Sequence, residues 1–124
     1  MTKPLKIAPW VVPEDLQAIY DYHRLLSVAK AERIISEYDR IIALLEMNPL
    51  LFHVRENGWR VYPFEAGTYL LYYKELETFW LVAGVFHARR KPSWIREQLS
   101  VRTLVAPTAS SPINPPRSRR ATSP

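Results

Sequence analysis

His87 ends an apolar run and is followed within four residues by Arg89, Arg90 and Lys91, with Pro92 next. One imidazole beside three cations supplies a group able to carry a proton and a dense positive charge for a phosphate or an acidic chain. The same residues also suit a plain, solvated exit from a strand. The run from Phe79 to Phe86 is β-branched and aromatic without helical spacing, so it reads as a buried strand whose end carries His87, Arg89 and Arg90 to a sheet rim. Metal chemistry has little to work with. There is no cysteine, and His23, His53 and His87 stand at no short ligand spacing, so neither a zinc site nor another cofactor is expected.

The elements that must position these residues follow from changes in apolar period. Leu5 to Val12 is short, apolar and bounded by prolines, which predicts an edge strand. Pro13-Glu14-Asp15 looks like a helix start, and Leu16, Ile19, Tyr20 and His23 line one face of a helix reaching about Leu26. Ser27 is placed to cap a second helix whose stripe runs through Ala31, Ile34, Ile35, Tyr38, Ile41, Ile42 and Leu45 until Asn48-Pro49 stops it. Beyond Pro49 the pattern is that of strands, at Trp59–Phe64, 69–73 and 79–87, with turns at Glu65-Ala66-Gly67 and Glu75-Leu76-Glu77. Ser93 to Val101 is expected to close the domain as a short helix, with Trp94, Ile95 and Leu99 on the sheet. The expected fold is α+β: an N-terminal strand, then a two-helix hairpin packed on an antiparallel meander, then a short C-terminal helix.

At 124 residues and 48% apolar composition the chain suits one domain with a modest core. That domain is expected to span 1–104. The segment 105–124 is rich in Pro, Ser and Arg and too poor in bulky apolar residues to fold, so a disordered tail is expected there. Arg117, Arg119 and Arg120 in that tail supply three of the five net positive charges. The folded part is thus only mildly basic, and composition alone does not imply nucleic acid. No stretch is long and apolar enough to span a bilayer, and Met1 to Ile7 lacks a signal-peptide core, so a cytoplasmic protein without a membrane partner is expected.

Several phrases, in order and at the right separations, resemble the RelE/ParE family of toxins from bacterial type II toxin–antitoxin systems. They are Asp15-Leu16-Gln17-Ala18-Ile19-Tyr20-Asp21-Tyr22, Leu44-Leu45-Glu46-Met47-Asn48-Pro49, Gly58-Trp59-Arg60, Tyr69-Leu70-Leu71-Tyr72-Tyr73 and Val85-Phe86-His87-Ala88-Arg89-Arg90. The likeness covers about residues 7–99. It implies a growth-arresting toxin neutralised by a cognate antitoxin, in a hetero-oligomer with it. Members similar to RelE cleave messenger RNA on the ribosome, and members similar to ParE bind and poison DNA gyrase.

For metal-free RNA cleavage the chain offers partial parts. Arg60 matches the family's phosphate-holding arginine, His87 stands where some nucleases place an acid, and Glu56 or His53 could be the base. Two departures favour the ParE-like reading. Ala88 and then only charges follow His87, where the nucleases tend to carry a tyrosine, and Leu51 to Glu56 replaces their lysine-rich segment. The residues expected to meet target or antitoxin are Arg60, His87, Arg89, Arg90, Lys91 and Trp94. Trp59, Tyr69, Tyr72 and Tyr73 could stack on bases but more ordinarily form core. The sheet face away from the hairpin is expected to expose apolar area that an antitoxin segment would cover.

Overall fold

The computed structural model describes residues 3–104, so the expected tail lies outside the described residues. Five strands form one sheet in the order β1-β5-β4-β3-β2. β1 (Leu5–Ile7) runs parallel to β5 (Trp80–His87), and β4 (Tyr69–Glu75), β3 (Trp59–Phe64) and β2 (Val54–Glu56) follow antiparallel. The helices are α1 (Gln17–Arg24), α2 (Val28–Met47) and α3 (Pro92–Leu104). This is the expected α+β arrangement, with β1 on the sheet edge as predicted.

Three boundaries differ from expectation. β1 stops at Ile7, and the next turn, Val11–Leu16, is π-helical: the Asp15 N–H reaches back to the Trp10 carbonyl. Val11 and Leu16 at its two ends are buried, and the helical segment starts ahead of Pro13, whose missing N–H falls in a first turn where none is needed. β2 was not foreseen. Its turn is Asn57-Gly58, both with positive φ (52° and 82°), the left-handed pair that closes a two-residue hairpin. α3 reaches Leu104 rather than Val101, beginning with Pro92 in the first turn. The other elements match closely. The Ser27 hydroxyl accepts the Lys30 N–H at 3.1 Å, and the α2 stripe is buried at Ala31, Ile34, Tyr38, Ile41 and Leu45.

Register sorts the sheet into two faces. Arg60, Tyr62 and Phe64 oppose Tyr73, Leu71 and Tyr69, and Tyr69 and Leu71 in turn oppose His87 and Val85. This is the hairpin face, where Tyr69 meets His23 of α1 and Phe52, after α2, donates its N–H to the Tyr73 hydroxyl. The other face carries Trp59, Val61, Leu70, Tyr72, Lys74, Gly84 and Phe86. Contrary to expectation it is not open. α3 lies over it with Ile95 and Leu99 buried, and Tyr72 is only 8% exposed.

Candidate functional site

β5 delivers His87 to the rim, half-buried, as its pattern implies. The ring Nδ1 accepts the Arg89 backbone N–H at 3.0 Å, so the neutral imidazole carries its proton on Nε2. The ring meets the edge of Tyr69 at 5.4 Å between centroids. Tyr69 in turn holds His23, with Nε2 and the phenolic oxygen 2.7 Å apart. Burial, reinforced by the Lys30 charge, lowers the His23 pKa, and burial raises that of Tyr69, so the pair is uncharged at neutral pH.

Arg89, Arg90 and Lys91 follow on the surface, in a turn closed by the Arg90 N–H donating to the His87 carbonyl at 3.0 Å. None of the three forms an ion pair among the described residues. The Arg90 guanidinium lies 4.6 Å from the Trp94 ring centre, and Trp94 stands edge-on to Phe86 at 5.7 Å. With exposed Tyr22 of α1 they border a cleft of about 460 Å³. His87, Arg89, Arg90, Lys91 and Trp94 therefore form one cluster at the β5–α3 junction.

Arg60 and Glu56 lie elsewhere. The Arg60 guanidinium donates to the Phe52 carbonyl and lies 5.4 Å over Trp80, which opens β5. His87 closes that strand seven residues later, roughly 23 Å away at about 3.3 Å per residue. The Glu56 carboxylate pairs with Arg96 of α3 at 3.7 Å, on the face opposite Arg60, and His53 is exposed in the loop before β2. The four residues that could serve in RNA cleavage thus occupy three places. Of the two carboxylates bordering the His87 cleft, Glu14 is exposed and Asp15 is bound to Arg102. The junction therefore suits recognition of an anionic partner better than proton transfer.

What the sequence reading missed is the device that seats α3. Because β1 ends opposite Val82, the edge of β5 beyond it has no strand beside it, and side chains supply its partners. The Asp15 carboxylate accepts the Val85 N–H at 3.1 Å, and Trp10 donates its indole N–H to the Ala83 carbonyl at 2.7 Å. Arg102 of α3 reaches in and makes two hydrogen bonds to Asp15, at 2.7 and 3.0 Å, and one to the Ala83 carbonyl at 3.1 Å. Its guanidinium is sandwiched near Trp10 and Phe86, at 5.6 and 5.0 Å. A Cβ on Gly84 would stand 2.4 Å from an Arg102 nitrogen, so glycine is what lets the guanidinium come this close. Nothing in the spacing of Asp15 and Arg102, 87 residues apart, announces this pair.

Comparison with known proteins agrees with the fold. Residues 12–92 match the family described as "ParE toxin of type II toxin-antitoxin system, parDE". A solved structure from P. aeruginosa, titled "Chromosomal ParDE TA system from P. aeruginosa", superposes with a TM-score of 0.61 at 18% identity, over 70% of this chain and 97% of the other. At that identity the likeness is one of fold. No match was found among curated proteins. Among the described residues no helix is long and apolar enough to cross a membrane, and no cluster of His, Asp or Glu could hold a metal ion.

Proposed function

The chain belongs to the ParE toxin family of type II toxin–antitoxin systems, and on that premise we propose that it arrests growth in the cytoplasm by binding DNA gyrase. The observation that carries this reading is the separation within the molecule: the cations cluster at the β5–α3 junction, while Arg60 is committed to Phe52 and Trp80 at the far end of β5. A phosphorane needs its clamp and its acid within hydrogen-bond reach of one reacting phosphate. That requirement disfavours a RelE-like messenger-RNA nuclease built on Arg60, His87 and Glu56, and leaves recognition as the work of the junction.

The cognate antitoxin is the second partner of this reading. An acidic segment reaching Arg89, Arg90 and Lys91 would neutralise charges that form no ion pair among the described residues, and its apolar side chains would extend over Trp94 and exposed Tyr22. Binding is then tight and weakened by salt. The test is induced expression in a host with susceptible gyrase, with and without the antitoxin. Arrest that the antitoxin reverses is the expected result, and unimpaired growth without it would count against any toxin activity.

A further inference from the structure

α3 covers the second face of the sheet only in part. Between it and the β2–β3 hairpin runs a groove of about 620 Å³. Four cations from four places in the fold line it: Arg55 of β2, Lys74 at the end of β4, Arg96 of α3, and Arg90 at its mouth. The only acid lining it is Glu56, held by Arg96 at 3.7 Å with both side chains about half exposed, a pair worth little in water. Lys74 is preset. Its ammonium lies 5.1 Å over the Trp59 ring, and its stem passes the hairpin turn so closely that a Cβ on Gly58 would meet it at 3.0 Å. The aromatic ring steadies the ammonium without neutralising it.

We propose that this groove binds a single strand of nucleic acid through its phosphodiester backbone, without reading its bases. Charge complementarity selects a polyanion, and the floor selects which kind. Trp59, Tyr72, Ile95 and Leu99 are 6%, 8%, 4% and 2% exposed, already covered by the protein's own packing. Such a floor leaves no ring face wholly open to a base and little area to the buried anchor residues on which a tight peptide ligand depends. Regularly spaced phosphates need neither, only cations spread along a channel. The groove shares Arg90 with the junction, but its test turns on Lys74 and Arg96 and uses neither gyrase nor antitoxin.

The experiment is fluorescence anisotropy of the full chain with labelled oligo(dT) and oligo(rU) of fifteen nucleotides, titrated between about 50 and 200 mM salt, the range over which phosphate contacts show most clearly. The two oligomers should bind equally, since the sugar and base are not read, and log K should fall against log salt with a slope of about −3 for four contacts. Lys74→Ala with Arg96→Ala should weaken binding at least about tenfold and reduce the slope by about 1.4. Arg33→Ala with Arg40→Ala, on the outer side of α2, should change nothing, and thermal melts of both double variants should match the parent. Failure of the groove variant to weaken binding would overturn the proposal, as would no saturable binding at low salt. Polyglutamate competing as well as oligo(dT) would overturn it in favour of an acidic chain.

Discussion

The two faces of the sheet are held by different physics. The hairpin face is mainly apolar contact, with Ile34, Ile41, Leu45, Leu71 and Tyr73 fully buried; its polar contacts include the uncharged pair His23 with Tyr69 and the Phe52 N–H on the Tyr73 hydroxyl. The α3 face has two buried apolar anchors, Ile95 and Leu99, and otherwise depends on Arg102, cation–aromatic stacks and a glycine. Contacts of the first kind specify a core. Those of the second kind specify one position for one helix, and they hold it beside the cations that the fold itself leaves unused.

Breaking that helix seat should have the largest effect. Arg102→Ala leaves Asp15 buried with only the Val85 N–H, and removing one partner of a buried ion pair costs about 3–5 kcal/mol. Ile41→Ala on the hairpin face should cost about 2–5 kcal/mol, the usual toll of a core cavity. The two differ in signature under chemical denaturation. The Ile41 variant should lower the midpoint with the cooperative transition intact, whereas the Arg102 variant should in addition raise hydrogen exchange selectively in α3. Equal loss of protection across both faces would erase the distinction between them.

Gly84→Ala tests the same seat from the other side. Its methyl group would collide with the Arg102 guanidinium and the Phe86 ring, the latter at 2.9 Å, and such overpacking costs about 1–3 kcal/mol. In the Arg102→Ala background one of the two obstructions is gone, so the Gly84 substitution should cost less there; strict additivity would mean that the guanidinium is not what demands glycine.

The hairpin face should have a pH signature. The folded pKa of His23 lies below its unfolded value of 6.5, so folding favours the neutral ring. Its contribution is fully present above pH 6.5 and is lost as pH falls through the lower, folded pKa. Equilibrium unfolding should therefore show stability declining on acidification below about pH 6.5, the ordinary histidine value, with His23→Gln flattening that part of the profile. An unchanged profile in the variant would place the titration elsewhere. The smallest stability effect is expected at the junction. Arg89→Glu with Arg90→Glu should change unfolding free energy by no more than about 0.5 kcal/mol, as for most surface substitutions, while weakening the antitoxin complex measurably at moderate salt. Antitoxin affinity unaltered by the double reversal would mean that the antitoxin docks elsewhere.

How much of this was legible in the sequence depends on the range over which each signal acts. The α2 stripe, its Ser27 cap and the strand β3 were readable because periodicity and capping are local. β2 was readable too, through Asn57-Gly58, a strong hairpin dipeptide. It went unseen because Val54, Arg55 and Glu56 are too few to show alternation and all three are exposed. The clustering of His87, Arg89, Arg90, Lys91 and Trp94 follows from strand continuity. The distance of Arg60 from that cluster does not, since it depends on which end of β5 faces the start of β3. Least legible was the Asp15–Arg102 pair, whose members acquire meaning only because β1 stops short and leaves one edge of β5 to side chains. The expectation of an open tyrosine face fails because which face a closing helix takes is a tertiary matter: Ile95 and Leu99, expected on the sheet, lie on the face away from the hairpin, and the helix runs on to bring Arg102 there too.

The most direct measurement is supercoiling of relaxed plasmid by purified gyrase in the presence of this protein, run beside an assay for cleavage of ribosome-bound messenger RNA. Supercoiling should be inhibited, or cleaved DNA trapped, and Arg89→Glu with Arg90→Glu should relieve that inhibition far more than His87→Ala does, with the messenger left whole. Undisturbed gyrase, together with cuts inside codons that His87→Ala or Arg60→Ala slows by about 10² or more, would contradict it and return the chain to the nuclease branch.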